Sequence, residues 1–323
     1  MLKRRLISIP ALLAATLLVT IVSPALLLIA LILSALPPYK GLFRTLAFAL
    51  GYLWCETVGL AALFVVWVVN RGDQSFLKAN RWIQNTWASA LTHWGRICFS
   101  IEFMVSGESA LEGSPALVLP RHSSIAETVL PLVFYAQPQG IFLRYVMKQE
   151  LLWDPCLDVA GNRLPNVFID RQGQDSDQAV GLISELVSSL ATEEGLVCFP
   201  EGTRFTPEKR ERLIAGGKDI SEVARRWADL LPPRLAGTLS ILRANPKRDL
   251  LFMCHTGFEG AAHVPSLING AWAHSVVKMH FWRVPFESIP VDSDAQQAFV
   301  LEQWDNMQTE LDRLNNSDTP ASR

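Results

Sequence analysis

Residues 120–128, Pro-Arg-His-Ser-Ser-Ile-Ala-Glu-Thr, hold the two side chains best suited to moving a proton, His122 and Glu127. The apolar run Ala116–Leu119 predicts a strand that delivers them, and Ile125–Tyr135 predicts the helix that follows. His122 therefore precedes the first helical turn, and residues five apart would not share a helical face had both been helical. A loop followed by a helix lets the two side chains meet. A neutral imidazole takes a proton from a hydroxyl nucleophile, while a carboxylate on its other nitrogen sets the tautomer and steadies the imidazolium. The same letters fit a second reading. Ser124-x-x-Glu127 is a capping box, in which Glu127 at N3 closes the helix start and does no chemistry.

Two further stretches have the composition of ligand-binding strand ends. Asn166-Val167-Phe168-Ile169-Asp170-Arg171 ends in a guanidinium just past a short apolar strand, where an open α/β sheet places its ligands. Arg171 there can fork onto a phosphate or pair with a carboxylate such as Asp170. Phe199-Pro200-Glu201-Gly202-Thr203-Arg204-Phe205 also follows an apolar run. Pro200 ends the strand and Gly202 permits close approach of backbone to ligand. Glu201 can hold Arg171 or receive a hydroxyl, and Thr203 and Arg204 offer donors to phosphate.

In order and spacing these three stretches resemble the blocks of the glycerolipid acyltransferases that acylate lysophosphatidic acid and other lysophospholipids. Residues 121–127 resemble the family's His-x-x-x-x-Asp, residues 166–171 its second block, and residues 199–205 its third, nearly letter for letter. The likeness covers roughly residues 80–290. It implies that His122 is the general base and that Glu127 orients it. It also implies that Arg171, Glu201, Gly202, Thr203 and Arg204 hold the headgroup phosphate, with Lys148 in an accessory position. Two departures stand out. Glu127 replaces the usual aspartate, and the fourth block, normally a proline in an apolar strand, is at best Leu250–Gly257, which has no proline. The segment Trp282–Pro290 resembles the branch that acts on lysophosphatidylglycerol or lysocardiolipin.

The elements around these blocks follow from hydrophobic pattern. Half of the 323 residues are hydrophobic and mean hydropathy is positive, which suits a membrane-attached enzyme. After Lys3-Arg4-Arg5, the run Leu6–Leu36 is long enough to cross a hydrocarbon core of about 20 helical residues, and Leu46–Val69 returns. The apolar core exceeds that of a signal peptide. Basic residues flank the outer ends of this hairpin, so the positive-inside rule puts the following domain in the cytoplasm, at a bacterial inner membrane or an endoplasmic reticulum. Glu56, midway along the second run, is expected to face a neighbouring helix or an interfacial partner. Phe76–Phe99, with Trp82, Trp87, Trp94, Lys78 and Arg81, reads as an amphipathic segment lying on the membrane or as an aromatic core face.

From Ile101 apolar runs alternate with helical patterns, which predicts an α/β fold with a mixed, mostly parallel sheet flanked by helices. Strands are expected at Ala116–Leu119, Ile141–Val146, Val167–Ile169, Leu196–Phe199, Leu250–Cys254 and Val276–Val284. Helices are expected at Asp177–Leu190 and near the C-terminus. The expected division is a transmembrane hairpin over 1–72, an interface segment over 73–100, the α/β domain over 101–292, and a last helix with a polar tail over 293–323.

Several function classes drop out. Net charge is −2 and no zinc-finger, RNP or basic-helix pattern occurs, so no nucleic acid is expected as partner. The five cysteines are scattered, and His255 and His263 lack metal-ligand spacing and read as structural, so no metal is expected. No Gly-x-Ser-x-Gly elbow or glycine-rich nucleotide loop is present. The expectation is a membrane-bound O-acyltransferase without a cofactor. Acyl-CoA or acyl carrier protein would be its donor, and a lysophospholipid, foremost lysophosphatidic acid, its acceptor. A catalytically silent lipid-binding or partner-binding protein is the alternative, and the intact His122 and third block argue against it. The basic loop of Arg204, Lys209, Arg210, Arg212 and Lys218 reads either as a solvated run or as an attractor for an anionic membrane, coenzyme phosphates or carrier protein.

Overall fold

The computed structural model describes residues 1–70, 72–170, 176–259 and 264–317. Two apolar helices, α1 (Leu2–Leu33) and α2 (Leu42–Val69), form an antiparallel pair, and both are long and apolar enough to cross a membrane. Pro10 and Pro24 lie inside α1 without ending it. A third long helix, α3 (Asp73–Phe99), precedes strand β1 (Glu102–Ser106) and strand β2 (Leu117–Pro120). The segment after β2 is helical but irregular: a 3-10 turn at Ala126–Val129, a π turn at Pro131–Ala136, and a last turn, α4 (Gln137–Gln139). Pro131 has no N–H to give to a regular ladder, which is one physical reason for the change of pitch.

Strand β3 (Phe142–Lys148), helix α5 (Pro155–Arg163), strand β4 (Val167–Ile169), helix α6 (Ser176–Ser188) and strand β5 (Glu194–Val197) follow. Helices α7 (Pro207–Ile214), α8 (Lys218–Arg226) and α9 (Leu235–Ala244) lead to β6 (Leu250–Thr256). Helix α10 (Val264–Ile268), strand β7 (Val276–Val284) and helix α11 (Ser293–Asn316) complete the described chain.

The seven strands form one sheet in the order β1-β7-β6-β2-β5-β3-β4. All neighbours are parallel except β6 and β7, so the sheet is mixed and mostly parallel, as the alternation of patterns predicts. The unanticipated strand is β1. It is an edge strand with no fully buried residue, and so it carries little hydrophobic signal. Central strands β2, β5 and β6 are buried along their whole length, as expected when helices cover both faces. On one face Phe99, Tyr135, Met253 and Phe281 pack with α3 and the π turn. On the other, Val187, Ile241, Trp304 and Leu311 bring in α6, α9 and α11.

Helix α2 lies along the domain rather than apart from it. At its start the Gly41 N–H donates to Ile268 O (2.8 Å), and Arg44 donates to Cys98 O (2.8 Å). Midway, Gly51 admits the Trp94 indole; a Cβ there would stand 1.9 Å from Nε1. Near its end Arg163 donates to Leu63 O (2.7 Å). The start of α1 is tied as well: Arg4 and Arg5 both pair with the buried Asp158 carboxylate, at 2.8 and 3.0 Å. Glu56 is buried at the seam, accepting from Trp87 Nε1 (2.8 Å) and from the Cys156 N–H (3.3 Å), so it faces partners in α3 and α5.

Of the two readings of α3, the aromatic core face is realised in part. Trp87 and Trp94 turn inward to Glu56 and to Ala47 O, while Trp82 stands exposed. Arg81 is no headgroup anchor. It runs inward to pair with the buried Glu194, which Arg144 also holds.

Candidate active site

Three neighbouring strand ends build the site. β2 releases Arg121 and His122, β5 runs into the turn Phe199–Gly202, and β6 carries His255 as its penultimate residue. Because β5, β2 and β6 are parallel neighbours, these side chains emerge at one edge of the sheet, outside the carboxyl ends of its strands.

The backbone of His122 is clamped by the third block. Its N–H donates to Glu201 Oε1 (2.7 Å), and its carbonyl accepts from the Phe205 N–H (2.6 Å). The imidazole lies over Phe199, with ring centroids 4.5 Å apart. Nδ1 bonds Glu127 Oε1 and the side chain is 12% exposed, while no group among the described residues bonds Nε2. With Nδ1–H as donor, the Nε2 lone pair is left to accept a proton.

Glu127 is fully buried and surrounded by donors. Its Oε2 accepts from the N–H groups of Ser123 and Ser124, both at 2.9 Å, and from His255 Nε2 at 2.6 Å. Burial alone pushes a carboxyl up, but hydrogen bonds from His122 and His255 hold Glu127 down at about 2. The capping reading is half realised. Glu127 does reach back to the Ser124 N–H, yet Ser124 Oγ accepts from the Ala126 N–H (3.2 Å). One carboxylate therefore closes the helix start and holds the imidazole, so the two readings are not exclusive.

The expected phosphate residues divide. Glu201 does not fit that place. It is buried, its two oxygens accept from the His122 N–H and the Leu231 N–H (2.9 Å), and burial pushes its carboxyl up to about 8 against those two donors. A carboxyl committed to two backbone donors positions His122 and cannot reach a ligand anion. Gly202 adopts φ 72°, and its N–H closes the turn onto Phe199 O (3.0 Å), a conformation that a side chain would strain. Thr203 Oγ1 accepts from Lys209 Nζ (2.9 Å), and the same ammonium bonds Arg204 O (2.7 Å). Arg204 is half-buried, and its guanidinium makes no hydrogen bond among the described residues. In the basic loop Arg210 is spent on Trp227 O (2.6 Å), so the run is partly structural.

Arg171 lies outside the described residues. Its strand β4 stands three strand spacings from β2, about 14 Å across the sheet. Lys148 ends β3 beside Ile169, on the same edge as the site. Asn166 of the second block is structural, accepting from the Tyr145 N–H (2.8 Å). Trp282–Pro290 lies at the opposite end of the sheet, where Val284 pairs with the first residue of β6, so it does not line this site. His263 is outside the described residues.

Sequence reasoning took His255 as structural and gave Arg121 no role of its own. Arg121 is buried and donates to His255 O (2.6 Å), Glu259 Oε1 (2.6 Å) and Asp229 O (3.1 Å), lacing β2 to β6. The available signal was a histidine inside an otherwise uninterrupted buried strand, since a buried polar group needs a partner.

Residues 102–234 match the family described as Acyltransferase. The fold is similar to the crystal structure of the 1-acyl-sn-glycerophosphate (LPA) acyltransferase PlsC from Thermotoga maritima. The TM-score is 0.57 at 16% identity, over 84% of this chain and 97% of that one. At that identity the likeness is one of fold. No curated protein matches the chain.

Proposed function

We propose, from the match of residues 102–234 to the Acyltransferase family, that the chain is a glycerolipid acyltransferase that acylates the free hydroxyl of a lysophospholipid, foremost lysophosphatidic acid. One observation carries the reading: an imidazole clamped at both backbone groups, tied at Nδ1 to an ionised carboxylate, with Nε2 open at the carboxyl edge of the sheet. His122 Nε2 takes the hydroxyl proton as the oxygen attacks the thioester carbonyl carbon of acyl-CoA or acyl carrier protein. The tetrahedral intermediate collapses, the C–S bond breaks, and the thiolate takes the proton back from Nε2. The donor is already activated, so positioning and general-base help of about 10²–10⁴-fold carry much of the task, and no cofactor or metal is needed.

Arg204, with Arg171, Thr203 and Lys148, supplies the phosphate grip. Glu201 and Gly202 shape the loop that presents it. The apolar outer face of α1, where Leu17, Ile21, Leu28 and Ile32 are exposed, meets lipid. The α/β domain faces the cytoplasm, at a bacterial inner membrane or an endoplasmic reticulum. The hairpin over 1–72, the segment over 73–100, the domain over 101–292 and the tail over 293–323 differ in role while sharing packed seams.

The test offers purified protein mixed lysolipids with each donor and identifies products by mass spectrometry. Phosphatidic acid is expected as the main product, and no acylated lipid with either donor overturns the reading. Under the same conditions Arg204→Ala is expected to raise KM for the lysolipid about tenfold or more, with KM for the donor little changed. A rise confined to the donor would move Arg204 to the donor site.

A further inference from the structure

We propose that His255 is a positioning residue of the reaction, a second histidine that holds Glu127 from the side opposite His122. This rests on the general-base reading of His122. His255 is wholly buried, and its Nε2 stands 2.6 Å from Glu127 Oε2 while His122 Nδ1 bonds Oε1. One carboxylate thus bridges an imidazole just past the end of β2 and one within the adjacent strand β6. His255 Nδ1 is buried without a hydrogen-bond partner, so the bond to Glu127 is the ring's single polar tie. A ring kept only to fill the core would leave less unsatisfied as an apolar side chain of similar size.

The ring is itself held in place. Its backbone carbonyl receives Arg121 Nη1 at 2.6 Å, and its edge meets Phe258, with centroids 5.8 Å apart at 71°. Reaching His255 as well as His122, and still closing the helix start at Ser123 and Ser124, uses the full length of a glutamate. That accounts for Glu127 where a shorter aspartate serves in the resembling block. The chemistry follows from sharing. A donor on Oε2 draws charge away from Oε1, so His255 keeps Glu127 from binding the His122 imidazolium too tightly and fixes the plane of the carboxylate.

The test measures kcat, both KM values and the pH profile of kcat/KM for His255→Leu, His255→Gln and His122→Ala. His255→Leu is expected to lower kcat about 10–100-fold with both KM values nearly unchanged. It should also move the acid limb of the profile upward by roughly half a unit or more, because the unshared carboxylate holds the imidazolium proton more strongly. His255→Gln keeps an N–H within reach of Oε2 and should recover most of the rate and the original limb. In a Glu127→Asp background, His255→Leu should add little, since the shorter arm has already released one ring.

Wild-type kcat and an unmoved limb in His255→Leu overturn the proposal. If that variant does not fold, a folded His255→Gln with the limb displaced overturns it equally. Failure here is distinct from failure of the catalytic reading, because a fully active His122→Ala would sink that reading whatever His255 does.

Discussion

His122→Ala is expected to lower kcat by about 10²–10⁴-fold, the usual worth of a positioned general base, and Glu127→Gln is expected to fall nearly as far. The structure changes the forecast for Glu127→Gln in one respect. A capping box accepts glutamine at N3, which by itself would leave stability untouched. Here both carboxylate oxygens face donors: His122 Nδ1 on one side, and Ser123 N, Ser124 N and His255 Nε2 on the other. The amide of glutamine must turn an N–H toward one of them, leaving a buried donor unpaired at about 1–3 kcal/mol. Turnover and melting temperature therefore fall together, turnover by far the more. Glu127→Gln with full turnover beside a dead His122→Ala would leave the base and reject its carboxylate partner.

The pH dependence has a definite sign. The folded carboxyl of Glu127 lies at about 2, below its ordinary value. The stability it contributes is complete above roughly pH 4.5 and is lost only as pH falls through the lower folded value. Across neutral pH Glu127 therefore stays ionised.

The second large effect concerns the seam between hairpin and domain. Replacing Arg4 and Arg5 together by alanine is expected to cost about 3 kcal/mol and to lower Tm in detergent by roughly 4–5 °C, since the buried Asp158 carboxylate loses both guanidinium partners. Only Asn162 Nδ2, at 2.8 Å, then remains as a side-chain donor to its Oδ1 among the described residues. In the native protein burial works against the Asp158 charge, but Arg5 and Arg4 hold its carboxyl below the ordinary value. That stability is present above about pH 4 and fades as pH falls further. Without the arginines burial of the charge is opposed by fewer partners, so the penalty is greatest at neutral pH and shrinks on acidification. Asp158→Asn in the same background should restore most of the loss. An unchanged Tm in the double variant would show that the tie of Arg4 and Arg5 to Asp158 contributes nothing to stability.

Much of the architecture was legible in the chain. β4 and β7 lie where their apolar runs end, and β2, β3, β5 and β6 differ from the expected spans by a few residues at their ends. Buried parallel strands read as short continuous apolar runs bounded by turn residues, so their existence is a local property. The edge strand β1 was not legible, because half-buried residues leave no period to read. The helix expected over Ile125–Tyr135 exists with another pitch, set by Pro131 and by the packing of Tyr135, whose hydroxyl accepts from the Ala116 N–H (2.9 Å).

The same division holds in the site. Residue types and order within the three blocks determined that a histidine, a carboxylate and a glycine turn would meet at strand ends, because each block is a strand followed directly by its loop. Which oxygen meets which donor was decided only by the order β5-β2-β6. That order sets Glu201 under the backbone of His122 instead of beside a phosphate, and brings His255 from more than a hundred residues away onto Glu127. Strand neighbours are chosen by the packing of whole faces, and no local pattern of residues encodes which run will lie beside which.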